Sequence, residues 1–93
     1  MPYQTDQNVF KAIEGKNISL LRSLPLSELL VKDCDNETAL HWAATNGELR
    51  MCKYLLLKCP SLINMVDNDG LTAYDHAFRY SSDLSTITHL SMV

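Results

Sequence analysis

Cysteine is too sparse and too unevenly placed in this chain to build a disulfide framework. There are three, Cys34, Cys52 and Cys59, an odd number with no CxxC pair. That usage fits a reducing compartment, cytosol or nucleus. A basic surplus is also missing. The net charge of -3 leaves no large positive surface for a nucleic-acid backbone and weakly favours basic or neutral partners. Long apolar runs are absent: stretches such as residues 54–57 fall far short of the roughly 20 residues of a membrane helix. Residues 1–8 are polar, with neither a basic start nor an apolar stretch, so no secretory leader is expected. No segment alternates apolar and polar residues long enough to indicate a strand.

What is present is ordinary globular material, 46% hydrophobic and 20% charged over 93 residues, which favours one domain. A ball of this size has little core, whereas a stack of repeats buries its core between neighbours. The chain does repeat. Shifted by 34 positions, Asp33 falls on Asp67, Thr38 on Thr72, Ala39 on Ala73 and Ala43 on Ala77. Asn36 falls on Gly70, and both residue types tolerate the left-handed backbone of a tight turn. One residue further, Glu48 meets Asp83, Leu49 meets Leu84, Cys52 meets Ile87 and Leu55 meets Leu90. A weaker copy lies upstream at a shift of 31, pairing Val9 with Leu40, Ala12 with Ala43 and Ile18 with Leu49. Terminal copies are expected to be atypical, because one side faces water. The units span about residues 5–32, 33–66 and 67–93.

Each unit reads as a pair of helices. Asp6 is placed to cap a helix that Gly15 ends, and Asn17 to cap a second that Pro25 stops. In the middle unit a short helix from Ala39 ends at Gly47. A second, from Glu48, sets Leu49, Cys52, Leu55 and Leu56 on one face until Pro60. The last unit has helices near residues 73–80 and from Asp83 onward. Residues 26–32 are either a further helical turn or a loop, and are read as a link.

The run Thr38-Ala39-Leu40-His41-Trp42-Ala43-Ala44 followed by Gly47 resembles the T-P-L-H-x-A-A pattern of the ankyrin repeat. Gly70-Leu71-Thr72-Ala73-Tyr74-Asp75-His76-Ala77 resembles the variant found in last repeats. Ala39 and Ala73 stand where proline is usual, Asp75 at the histidine position, and Phe78 in place of a small alanine. The resemblance implies an all-α ankyrin-repeat solenoid of stacked helix-turn-helix units with projecting β-turn fingers. It also implies that His41 bridges neighbouring repeats, helped by the motif threonine. Ala43 and Ala44 are small enough for close helix approach, with Leu40, Leu55 and Leu56 filling the space between layers.

No catalytic or metal motif emerges. His41 has no motif-paired nucleophile. Cys34, Cys52, Cys59, His41 and His76 do not have zinc-finger spacing. Asp67-Asn68-Asp69-Gly70 fails an EF-hand pattern at both ends, since Met65 and His76 stand at ligand positions. Lys53 and Lys58 read as a solvated face without function. The expectation is a non-catalytic protein-binding module without cofactor or metal. The resemblance places its contacts on the fingers and concave face: Cys34, Asp35, Glu37, Trp42, Thr45 and Asn46, then Asn68, Asp69, Leu71, His76, Arg79 and Tyr80. Lys11 and Glu14 add to these from the first unit. Trp42 is either an interface anchor or packing across the next helix. The partner expected is a protein with a basic or amphipathic segment, with no nucleic acid and no membrane involved. Leu84, Ile87, Leu90 and Met92 on an uncovered final helix suggest self-association through the C-terminal repeat. The rival is a structural or positioning segment of a larger array.

Overall fold

The computed structural model describes residues 8–81 and 83–92, so the Asp6 cap lies outside the described residues. Within them every regular element is helical. In chain order they are α1 (Asn8–Glu14), α2 (Ile18–Ser23), α3 (Leu26–Leu29), α4 (Ala39–Thr45), α5 (Leu49–Lys58), a 3-10 helix (Pro60–Asn64), α6 (Ala73–Tyr80) and α7 (Leu84–Ser91). The pairs α1/α2, α4/α5 and α6/α7 pack against one another. Helices α1, α4 and α6 stack as an inner layer, and α2, α5 and α7 as an outer one. This is the all-α solenoid that the resemblance implied.

Helix starts follow from side chains that satisfy free amides. Asn17 accepts from the Leu20 amide, Thr38 from His41, Thr72 from Asp75 and Asp83 from Ser85. At Thr38 and Thr72 the third helical residue reaches back to the cap amide, closing a capping box. Helix α1 ends at Glu14, just before Gly15 as expected. Lys16, not Gly15, takes the left-handed backbone, with φ 56°, and it corresponds to Gly47 with φ 67°. Both ends close alike, the Asn17 amide on the Ala12 carbonyl at 2.8 Å and the Glu48 amide on that of Ala43 at 2.9 Å. A non-glycine residue at Lys16 costs about 1–2 kcal/mol. At Gly47 a Cβ would also lie 2.9 Å from Ser81 Oγ, so close approach of the next repeat adds a second reason for glycine there.

Both prolines follow the end of a helix as expected, α2 at Ser23 and α5 at Lys58. Of the two readings left open for residues 26–32, the helical turn is the one observed: Pro25 opens the short helix α3, and Pro60 begins the 3-10 helix. Fixed φ and a missing N–H suit proline to a first helical turn. Both turns bury a leucine, Leu29 and Leu62. Small side chains set the layer spacing: Ala39, Ala43, Ala44, Ala73 and Ala77 are wholly buried on α4 and α6. Phe10, Ile13, Leu21, Leu40, Met51 and Leu55 fill the space around them, each worth about 1.5–3 kcal/mol when fully buried. Leu56, expected among these, is only half-buried. On α7, Leu90 is buried and Ile87 half-buried, which leaves Leu84 and Met92 as the exposed pair.

Candidate partner-recognition surface

Two aspartates build the fingers. One carboxylate oxygen of Asp33 accepts the amides of Asp35 at 2.9 Å and Glu37 at 2.8 Å. The matching oxygen of Asp67 accepts those of Asp69 at 2.9 Å and Leu71 at 3.0 Å. Each turn crosses a left-handed residue, Asn36 at φ 66° and Gly70 at φ 77°. The second carboxylate oxygen takes a ring N–H from the helix behind. Trp42 Nε1 donates to Asp33 at 2.9 Å and His76 Nε2 to Asp67 at 2.7 Å. Trp42 and His76 each lie nine residues after their aspartate, so different rings perform the same bracing in successive repeats. The Asn68 amide donates to the Asp35 carbonyl at 3.0 Å and ties finger to finger.

His41 joins the repeats as the resemblance implied. Its Nδ1 accepts from the Thr38 amide at 3.1 Å, so the proton sits on Nε2, which donates to the Leu71 carbonyl at 2.8 Å. The Asp67 carboxylate likewise requires a proton on His76 Nε2, and the Thr45 hydroxyl lies 3.0 Å from His76 Nδ1. His41, Asp67 and His76 bring ligand-type atoms within 4.8 Å of one another, the one such group among the described residues. Both Nε2 atoms present hydrogens and both Nδ1 atoms are taken by threonines, which leaves no imidazole lone pair free for a metal. His76, singled out from the sequence for partner contact, is 4% exposed, and its ring is hydrogen-bonded to Asp67.

Burial holds the His41 pKa below its ordinary value, against the Leu71 hydrogen bond, which raises it. The neutral ring therefore favours the fold. This contribution is complete above the ordinary histidine value and is lost as pH falls through the lowered folded one. For Asp67, burial works upward but is outweighed by the Leu71 amide, His76 and the Asp69 amide, so its pKa is lowered. Its contribution holds above the ordinary carboxylate range and fades only in stronger acid. Glu37 is raised, by burial first and then by Asp33, so its contribution is present below the ordinary glutamate value and lost as pH climbs through the raised folded one. The melting temperature should accordingly fall on acidification below about pH 6.5, with a slope of at most about 1.4 kcal/mol per pH unit for one proton. A profile flat from about pH 7.5 to 5.5 would show that folding does not disfavour the charged ring.

Glu14, Glu37, Trp42, Thr45 and Asn46 meet around a cleft of about 250 Å³. All five are residues singled out from the sequence. The volume is below the roughly 300–1,000 Å³ of small-molecule pockets and suits a single side chain. Trp42 packs and also faces the surface. It packs on Phe10, ring centroids 4.7 Å apart, and it lines the cleft. Because its N–H is spent on Asp33, it offers the cleft only carbon and π surface. Glu37 has Asp33, Asp35 and Asp67 around it, each of which raises its pKa further, while His76 works the other way. Lys16 with Glu48, at 3.5 Å, is the one lysine or arginine ion pair among the described residues, so no cation neutralises this group.

The remaining named residues spread around that centre. Cys34, Asp35, Asn68 and Asp69 are exposed on the fingers, as are Lys11, Arg79 and Tyr80 on the inner helices. Tyr80 meets His76 edge-on at 5.4 Å. Leu71 is half-buried with both backbone groups engaged. Among the thiols Cys34 is exposed, whereas burial pushes Cys52 up to about 12 and also raises Cys59. Sequence reasoning missed the bracing of Asp33 and Asp67 by the rings behind them; the nine-residue spacing to Trp42 and His76 was the signal available.

No helix among the described residues is long and apolar enough to cross a membrane. No curated protein matches the chain. The family model for ankyrin repeats, in three copies, matches residues 9–91. Units of this kind are generally protein–protein interaction modules and typically non-catalytic. With stacked helix pairs, threonine-capped inner helices, a histidine bridge and a match over almost the whole length, the chain belongs to the ankyrin-repeat family.

Proposed function

We propose that this protein is a non-catalytic interaction module of the cytosol or nucleus that takes a basic segment of a partner protein along its concave face and fingers. The observation that carries this reading is the cleft in which Trp42 meets Glu14 and Glu37, with exposed Asp35 and Asp69 on the fingers. A lysine or arginine head seated there gains from the carboxylates and from the indole, a cation–π contact worth about 0.5–2 kcal/mol. The finger carboxylates add long-range attraction, which acts on association rate.

An array of immobilised peptides varied in charge and apolar content tests this. Peptides combining lysine or arginine with an apolar residue should be retained. Asp35→Lys with Asp69→Lys should slow association and weaken its salt dependence without lowering thermal stability, since their amides, not their side chains, hold the turns. Unchanged association would remove the finger carboxylates from the site. A second reading, self-association through the C-terminal repeat or a structural place in a larger array, is favoured by Phe78, Leu84 and Met92, which are 68%, 74% and 77% exposed.

A further inference from the structure

The outer layer carries charge of the opposite sign to the fingers. Arg22 of α2 and Arg50, Lys53 and Lys58 of α5 are all exposed, and they are half of the eight lysines and arginines in the chain. They surround Tyr54. The Arg22 guanidinium and the Lys58 ammonium each stand 5.9 Å from its ring centroid. None of the four forms an ion pair among the described residues. Glu28 is the single acidic side chain on α2, α3 and α5.

Two clefts flank the tyrosine, and both include Arg22. One, of about 270 Å³, adds Arg50, Lys53 and Leu57. The other, of about 370 Å³, adds Lys58 and the leucines of α3 with Leu24. Leu26 is 53% and Leu57 77% exposed, so apolar surface lies beside unneutralised cations on both sides. Arg22 belongs to the first repeat and the other cations to the second, and the packing of α2 on α5 brings them together.

We infer that this outer face is a second binding site, for an acidic peptide segment that carries an apolar residue. Carboxylates of such a segment meet the four cations while its apolar side chain covers Leu26 or Leu57. A bare phosphate would use the charges and leave the leucines in water. An extended anionic lipid surface would face the whole molecule, whose net charge is -3. A short peptide, screened over about 8 Å, responds to the local patch alone. The site does not depend on the concave-face reading, because it lies on the other helix layer.

A fluorescein-labelled peptide of glutamates interrupted by leucines, titrated with the full chain and followed by anisotropy, tests the inference. Binding should weaken with salt and drop at least about tenfold in Arg50→Glu with Lys53→Glu. Glutamates near the start of α5 suit the helix dipole, so circular dichroism should be unchanged; Lys53→Gln alone replaces the pair if it is not. The same peptide with serines for leucines should bind several-fold more weakly. Asp35→Lys with Asp69→Lys should leave binding of the acidic peptide at full strength or better, which separates this site from the concave face. Affinity within twofold of wild type in the double reversal overturns the inference. So does capture by phosphatidylserine vesicles without peptide binding, or salt-sensitive self-association abolished by the same reversal, which would assign the face to a membrane or to a second copy.

Discussion

Asp67→Ala is expected to destabilise the fold by about 3–5 kcal/mol, against a total of roughly 5–14 kcal/mol for a chain of this length. The side chain is 7% exposed and serves three donors at once: the Asp69 and Leu71 amides and the His76 ring. Alanine leaves all three without their acceptor, and a donor stranded away from water costs about 1–3 kcal/mol. The damage should spread, because the Leu71 carbonyl on the same finger is the acceptor for His41. Asp33→Ala, at the half-buried equivalent, should cost less, and Asp69→Ala, whose side chain is exposed, about 0.5 kcal/mol or less. Urea denaturation followed by circular dichroism ranks the three. Equal midpoints for Asp67→Ala and Asp69→Ala would remove the bracing role.

Trp42→Ala is expected to weaken a basic peptide held on the concave face by about 2 kcal/mol or more, close to thirtyfold in Kd. The indole lines the cleft beside Glu14 and Glu37, and nothing else in the lining is aromatic. The same change should also lower stability, because it removes the contact with Phe10 and the hydrogen bond to Asp33. Affinity must therefore be measured by calorimetry on protein shown to be folded. Trp42→Phe keeps an aromatic wall while losing the hydrogen bond, so it should retain most of the affinity and show most of its effect in melting temperature. A Trp42→Ala protein that is folded and binds at full strength would leave the indole as packing alone.

The reach of the sequence differed from one feature to the next. The Asn17 cap, the small alanines and the left-handed positions at Asn36 and Gly70 were readable, because each depends on a residue's own conformational limits and a few neighbours. The end of α1 before Gly15 was readable, but the left-handed residue at Lys16 was not, since only the closing hydrogen bonds single it out. The helical turn at α3 was left undecided against a loop, and the 3-10 helix was missed. A stretch so short has no periodicity to show and forms because Leu29 and Leu62 have a core to enter.

By itself, then, the sequence determined the helix pairs, their repeat and the acidic character of the turns, all properties of contacts close along the chain. Only the tertiary structure decided which of the two bracing rings is buried and which also lines a cleft. Trp42 and His76 occupy equivalent positions, yet the ring of one lines a cleft and that of the other is sealed beneath Tyr80. The same holds for the charges: Glu14 and Glu37 become neighbours, and Arg22 joins Arg50, Lys53 and Lys58. Residues so far apart in sequence meet because burying Ala43, Ala44 and Leu55 between repeats fixes the stacking, and that apolar burial sets the position of every polar group on the surface above it.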